Sequence, residues 1–205
     1  MKAVWVGVLA GCWFATAPVH AQNAGKREQA AMSASPDVVA ESVGIQGFDD
    51  LDTAFELSTQ PFLPSKSGHD QFLRATIKKR TGATEFQVYL WTEYNGDWKS
   101  LSSATYESPY GPVEAEAINL GRKVLACDRW GCLNREDIVF DVPETLLRAV
   151  SAGATGGSGA VWRYKVSGKF GDEPPLEMLK TEMAGLLIKV DQLRRSQKLP
   201  VPAAK

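Results

Sequence analysis

Residues 123–142 read KVLACDRWGCLNREDIVFDV, and most of what the sequence predicts about the fold follows from this stretch. Two segments with strand-like alternation of apolar and polar residues flank a short loop that has a cysteine at each end, Cys127 and Cys132. This spacing suits a disulfide across the end of a hairpin, and it matches neither the Cys-x-x-Cys motif of redox sites nor a four-ligand zinc pattern. We therefore predict a disulfide-linked β-hairpin, with a redox role as the weaker alternative.

The N-terminal segment has the features of an export signal. Lys2 precedes an uncharged, apolar run over residues 3–17, and the sequence PVHA ending at Ala21 fits the cleavage site of signal peptidase. The run is too short to span a bilayer as a stable helix. We predict a signal peptide over residues 1–21 and a periplasmic or secreted protein. The sequence LAGC, which ends at Cys12, leaves open an alternative, a lipoprotein anchored to the membrane.

Composition narrows the classes of partner. Removal of residues 1–21 leaves an even number of cysteines, as expected for a disulfide in an oxidising compartment. The formal net charge of −1 comes from interspersed acidic and basic residues, which predicts no nucleic-acid partner. Later uncharged runs are shorter than a membrane-spanning helix, so we predict no transmembrane segment after signal removal.

The remaining chain has the length of one domain. Residues 22–45 lack aromatic side chains and predict a flexible tether or a weak helix. Residues 46–199 form the predicted domain, in which residues 47–63 are either a short helix or irregular. Residues 200–205 contain prolines and predict a disordered tail.

Alternating apolar residues within the domain predict a series of strands. They cover residues 71–79, 85–93, 98–106, 113–127 with a bulge at Gly121, 135–142 and 161–170. The pair Asn95-Gly96 predicts a hairpin turn between the second and third strands. Helical spacing predicts helices over residues 144–151 and 176–196. We therefore expect an α+β fold, in which a long C-terminal helix covers an antiparallel, hairpin-connected sheet of about five to six strands.

Aromatic residues supply the candidate binding sites. Trp130, beside Arg129 in the constrained loop, is either an exposed anchor for a protein partner or a sugar, or a side chain that folds back over the sheet. Tyr89 and Trp91 lie on one face of a predicted strand. A larger aromatic set indicates either a carbohydrate- or peptide-binding stripe or ordinary cross-strand packing, and its members are Tyr89, Trp91, Tyr94, Trp98, Tyr106 and Tyr110.

Catalytic and metal motifs are weak. His69, the one histidine left after signal removal, lacks the sequence context of a nucleophilic triad. The aspartates in residues 49–52 lack the glycine and distal glutamate of a calcium loop. We predict no catalytic residues, no metal and no cofactor. Carboxylates that could form a general acid/base pair, or simply a solvated sheet face, are Glu114, Glu116, Glu136, Asp137 and Asp141.

Several short patterns follow one another in the C-terminal half. Downstream of the Cys-x4-Cys loop come EDIVFDVP (136–143), LL (146–147), WRY (162–164) and MAGLL (183–187). In these patterns the chain resembles a group of uncharacterised exported proteobacterial proteins, and the resemblance implies an envelope location. Our hypothesis is a non-enzymatic domain that binds an envelope protein or a cell-wall component. The alternative is a carboxylate-based hydrolase that acts on cell-wall carbohydrate.

Overall fold

A computed structural model of the protein describes residues 33–60, 68–152, 154 and 161–200. Several predicted features lie outside the described residues: the signal peptide with Cys12, residues 22–32 of the tether, and residues 201–205 of the tail.

The described residues form three helices and nine strands. In chain order these are α1 (Pro36–Ser42), β1 (Gly44–Gln46), β2 (Ala54–Ser58), β3 (His69–Lys78), β4 (Thr84–Asn95), β5 (Leu101–Ser108), β6 (Gly111–Asp128), β7 (Gly131–Asp141), α2 (Glu144–Ser151), β8 (Val161–Gly168), β9 (Leu176–Leu179) and α3 (Lys180–Ser196). The strands join in one antiparallel, curled sheet of order β1-β2-β3-β4-β7-β6-β5-β8-β9. None of the described helices has both the length and the apolar character needed to cross a membrane.

Strand β6 joins the two halves of this sheet. Its residues 111–116 pair with β5, and its residues 117–128 pair with β7. The register with β7 shifts between Asn119 and Gly121, which is where the sequence predicts a bulge. Because a bulge bends a strand and increases its twist, β6 can leave one neighbour and follow another.

The inner face of the sheet packs against α3. Alternate residues of β3 (Leu73, Ala75 and Ile77) are fully buried, as are Met183 and Val190 on the helix. Complete burial of a large aliphatic side chain stabilises the folded state by about 1.5–3 kcal/mol. The interface between sheet and helix therefore makes a large contribution to stability.

Helix α1 lies in the segment for which the sequence predicts a tether or a weak helix. Ser35 caps it by accepting a hydrogen bond from the Val38 amide at 3.4 Å, and Val39 is fully buried. A Cβ atom added to Gly185 of α3 would lie only 2.4 Å from a methyl carbon of Val39. Glycine therefore permits the close approach of the two helices.

The structure confirms the α+β class and the C-terminal helix on an antiparallel sheet, but the predicted strand count is wrong. Strands β1 and β2 fall in the segments predicted as tether and as helix or irregular, and β1 has only three residues, too few to show alternation. The predicted helix over residues 176–196 begins at Lys180, because residues 176–179 pair with β8.

The predicted hairpin at Asn95-Gly96 is also wrong. Strand β4 pairs with β3 and β7, whereas β5 pairs with β6 and β8. Gly96 does have a positive φ of 105°. Its amide donates to the carbonyl of Cys132 at 3.1 Å, and its carbonyl accepts from the Asn134 side chain at 2.6 Å. These bonds hold Gly96 beside β7, and the chain then crosses to β5 on the far side of β6.

Candidate functional site

The turn between β6 and β7 carries the constrained loop. Cys127 and Cys132 are directly opposite in the register, with a Cα–Cα distance of 4.0 Å, and form the predicted disulfide. On the loop-entropy account, so small a ring contributes only about 2 kcal/mol to stability. The main effect of the disulfide is therefore local, because it limits the separation of the two strand ends at the turn.

The turn itself is fixed by two further features. The Asp128 carboxylate accepts a hydrogen bond from the amide of Trp130 at 2.7 Å. Gly131 follows with a φ of 138°, a conformation that glycine adopts without steric cost. The backbone of Arg129 and Trp130 is therefore held on both sides.

Trp130 extends into solvent from this turn, with 82% of its surface exposed. The guanidinium of Arg129 lies 4.8 Å from the centre of its ring. The sequence left open whether Trp130 is exposed or folds back over the sheet, and the structure shows an exposed side chain. An exposed aromatic ring on a fixed backbone loses little conformational entropy when it binds a partner.

A groove of about 490 Å³ lies between this turn and the segment that follows β4. Its lining residues are Gly96, Asp97, Trp98, Val124, Trp130, Gly131, Cys132 and Asn134. The two tryptophans thus contribute to one concave surface beside the disulfide. The sequence names Trp98 only as a member of the aromatic stripe and not beside Trp130, because only the crossing of the chain from β4 to β5 brings it to this hairpin.

A buried carboxylate positions the segment that carries Trp98. Glu136 is fully buried and accepts hydrogen bonds from the amides of Ser100 at 3.0 Å and Leu101 at 3.3 Å. Its second oxygen lies 3.4 Å from Nε of Arg122, whose guanidinium is 5.7 Å from the centre of the Trp98 ring. Glu136 therefore holds both the backbone after Trp98 and the cation beside its ring.

Two neighbouring side chains complete the network around this carboxylate. The hydroxyl of Tyr94 and the side-chain amide of Asn119 both donate hydrogen bonds to Glu136. The Tyr94 oxygen accepts a hydrogen bond from the backbone amide of Lys99 at 2.9 Å. Burial raises the pKa of the Tyr94 hydroxyl well above its usual range, and the hydrogen bond to Glu136 adds to the effect. Tyr94 therefore remains a neutral donor at physiological pH.

Asn134 supplies a polar group to the groove. Its side chain is only 3% exposed, and its amide nitrogen donates to the Gly96 carbonyl. Its buried oxygen Oδ1 accepts no hydrogen bond from the residues that the structure describes. A buried acceptor without a donor is costly, so this oxygen makes an unfavourable contribution to stability beside the groove.

The other two predicted site residues lie on the opposite side of the sheet. Tyr89 and Trp91 alternate with the fully buried Leu90 of β4 and therefore point to the outer face. Tyr89 stacks on Phe72 of β3 at 4.7 Å, and the guanidinium of Arg135 lies 4.5 Å from the centre of the Trp91 ring. The structure brings together Trp130 and Arg129, and places Tyr89 and Trp91 in a separate cross-strand cluster.

The carboxylates considered for acid/base chemistry do not converge. Adjacent on β7, Glu136 and Asp137 face opposite sides, and Asp137 pairs with Arg135 at 2.9 Å. Glu114 and Glu116 are exposed on β6. His69 begins β3 and is half-buried. Among the residues described, no group of three or more histidine, cysteine, aspartate or glutamate side chains is arranged to hold a metal ion.

Comparison with protein-family models, with curated proteins and with solved structures finds no match for this chain. The geometry of the site therefore carries the functional conclusion.

Proposed function

We propose that the protein is an exported binding protein of the cell envelope, and that its contact site is the groove beside the disulfide-linked turn. The disulfide is compatible with a protein that folds in an oxidising compartment. The partner is another envelope protein or a cell-wall component. In this proposal the protein acts by binding and performs no chemical step.

The observation that carries the proposal is the exposure of Trp130 on a fixed backbone. Soluble proteins bury most tryptophan surface, and tryptophan dominates the energetics of many protein interfaces. The neighbouring Trp98 extends this surface into the groove. Together the two tryptophans offer two aromatic faces to a partner.

A second turn of the protein supplies a matched control. Between β5 and β6, Tyr110 is 99% exposed, its amide donates to the Ser108 hydroxyl at 3.1 Å, and Gly111 follows with a φ of 113°. This arrangement repeats that of Asp128, Trp130 and Gly131. The β5–β6 turn lacks both the disulfide and the groove, so it separates the effect of the site from that of any exposed aromatic residue.

The test places a photo-reactive amino acid at Arg129 in the protein exported by its native host. We expect discrete covalent adducts between the protein and its partner, which mass spectrometry identifies. The same spectra should show that the exported chain lacks residues 1–21. Trp130→Ala should remove the adducts, because truncation of a central aromatic anchor costs about 2 kcal/mol or more of binding free energy. Tyr110→Ala should leave them unchanged.

Adducts that persist in the Trp130→Ala protein would contradict the proposed contact site. Equal losses in the Trp130→Ala and Tyr110→Ala proteins would indicate a general effect of exposed aromatic residues. Circular dichroism of both variants verifies that the fold is intact.

A further inference from the structure

The long strand β6 has an open edge next to the groove. From residue 117 to residue 128 it pairs with β7 alone, because β5 pairs only with residues 111–116. Among the described strands, none pairs with the other edge of residues 117–128. An open edge presents unpaired amide and carbonyl groups that can hydrogen-bond an added strand.

The side chains of this edge segment are unusually apolar for an exposed strand. Ile118, Leu120 and Val124 are 55%, 52% and 49% exposed, and Leu125 is 37% exposed. Exposed apolar residues on both faces of one strand provide contacts for alternate side chains of an added strand. Val124 also lines the groove, so the edge segment and the Trp130 site are continuous.

Apart from Asp128 at the turn, the charge of the edge segment is of one sign. Between residues 117 and 127 the sequence contains Arg122 and Lys123 and no acidic residue. Lys123 is exposed, lies opposite Arg135 in the register, and forms no ion pair with any described residue. Arg135 is already paired with Asp137, so Lys123 is the cation that an acidic side chain of an added strand would neutralise.

We propose that β6 binds its partner by strand addition, with an extended peptide segment of alternating apolar and acidic residues paired along residues 117–128. This inference rests on the proposed function, since it names the kind of partner that the groove receives and how it is held. Main-chain hydrogen bonds supply the pairing, and the cations on the edge select an acidic segment. A second copy of the chain presents the same cationic edge and is the less complementary partner.

The probe is a fluorescein-labelled peptide of sequence VEVTVDVE, with binding followed by fluorescence anisotropy on the disulfide-bonded protein. Two N-methylated forms of the peptide are compared, each methylated at every second residue. An added strand turns alternate amides toward the edge, so one form should lose binding and the other should retain it. A peptide with lysine in place of its acidic residues should bind at least tenfold more weakly.

Lys123→Glu should weaken binding of the acidic peptide about fivefold, with a smaller salt dependence. The matched control is Lys169→Glu, an exposed lysine in the turn after β8 that lies near the ring of Phe170. It changes the net charge equally and should leave the affinity unchanged.

Equal binding of both N-methylated peptides would overturn the inference, as would equal binding of the acidic and basic peptides. A dimer that forms through β6 and excludes the peptide in sedimentation experiments would also overturn it. If none of the peptides binds but the adducts at Arg129 still require Trp130, strand addition fails and the proposed function stands. If the adducts do not require Trp130, the proposed function itself fails.

Discussion

At the residue scale, the buried Glu136 connects the fold to the candidate site. Its carboxylate satisfies the amides of Ser100 and Leu101, which lie at the point where the chain enters β5. Ser100 has a φ of 55°, a backbone region that residues with a side chain rarely adopt. The hydrogen bonds that Glu136 accepts therefore stabilise the strained backbone at Ser100 and, with it, the position of Trp98.

Glu136→Ala should lower the free energy of unfolding by about 3 kcal/mol or more, because it leaves several buried donors without an acceptor. Asp137→Ala is the control. It removes a neighbouring carboxylate on the outer face, and both side chains of the Asp137–Arg135 ion pair are about a quarter exposed. This variant should lower the free energy of unfolding by about 1 kcal/mol or less. Urea denaturation measures both values, and similar losses for the two variants would show that Glu136 has no special structural role.

Sequence reasoning at this scale succeeded where a local pattern decides the outcome. The spacing of Cys127 and Cys132 was sufficient to predict their disulfide, because a pair so close in sequence meets across a hairpin end. The exposure of Trp130 remained open, since a turn residue can point in either direction. The position of Trp98 beside Trp130 depends on a contact between distant parts of the chain, and the sequence carries no local signal for that contact.

At the scale of elements, the clearest strands were predicted nearly to the residue because their two faces differ. Strand β3 alternates Leu73, Ala75 and Ile77 with polar residues, and its observed bounds lie within two residues of the prediction. Which strands pair with one another was harder to predict from the sequence. The turn signal at Asn95-Gly96 predicts a hairpin, but hydrogen bonds between Gly96 and residues Cys132 and Asn134 of β7 hold it beside that strand instead. Tertiary contacts decided the topology against a strong local preference.

Gly185→Ala tests the contact between α1 and α3. The added methyl group would clash with Val39 and with the Pro36 carbonyl, which lies 2.9 Å from the ideal Cβ position. We expect α1 to be displaced, at a net cost of about 1–2 kcal/mol after the gain of about 1 kcal/mol in helix propensity. Hydrogen exchange should accelerate at amides 38–42.

The control for this variant is Ala184→Ser, at the adjacent, partly exposed position of α3. It should leave the exchange of α1 unchanged. Unchanged exchange in the Gly185→Ala protein would show that α1 tolerates the methyl group without displacement.

At the scale of the whole molecule, one buried acid makes global stability depend on pH. Glu182, in the first turn of α3, is 2% exposed and accepts a hydrogen bond from the Thr59 hydroxyl at 2.5 Å. Burial raises the pKa of its carboxyl group from 4.5 to about 8, the nearby charge of Asp70 adds to the increase, and the Thr59 bond opposes it. The folded protein therefore keeps this group protonated at neutral pH.

Because the folded state holds a proton that the unfolded state releases, the free energy of unfolding should fall as the pH rises from about 4.5 to about 8. The contribution is on the order of 5 kcal/mol at most. The side chain of Glu182→Gln cannot ionise. The free energy of unfolding of this variant, relative to that of the wild type, should therefore be higher at about pH 9 than at about pH 5. Urea denaturation of both proteins at each pH isolates the effect, and a constant difference between them would disprove it.

The place of α3 in the chain sets the order in which the protein can fold. Residues 180–196 cover the inner face of the sheet, and they are synthesised after every strand that they bury. While these residues are still inside the ribosome, the strands that have emerged can pair, but their apolar face remains exposed to water. Nascent chains arrested before residue 180 should therefore remain open to proteases and chaperones.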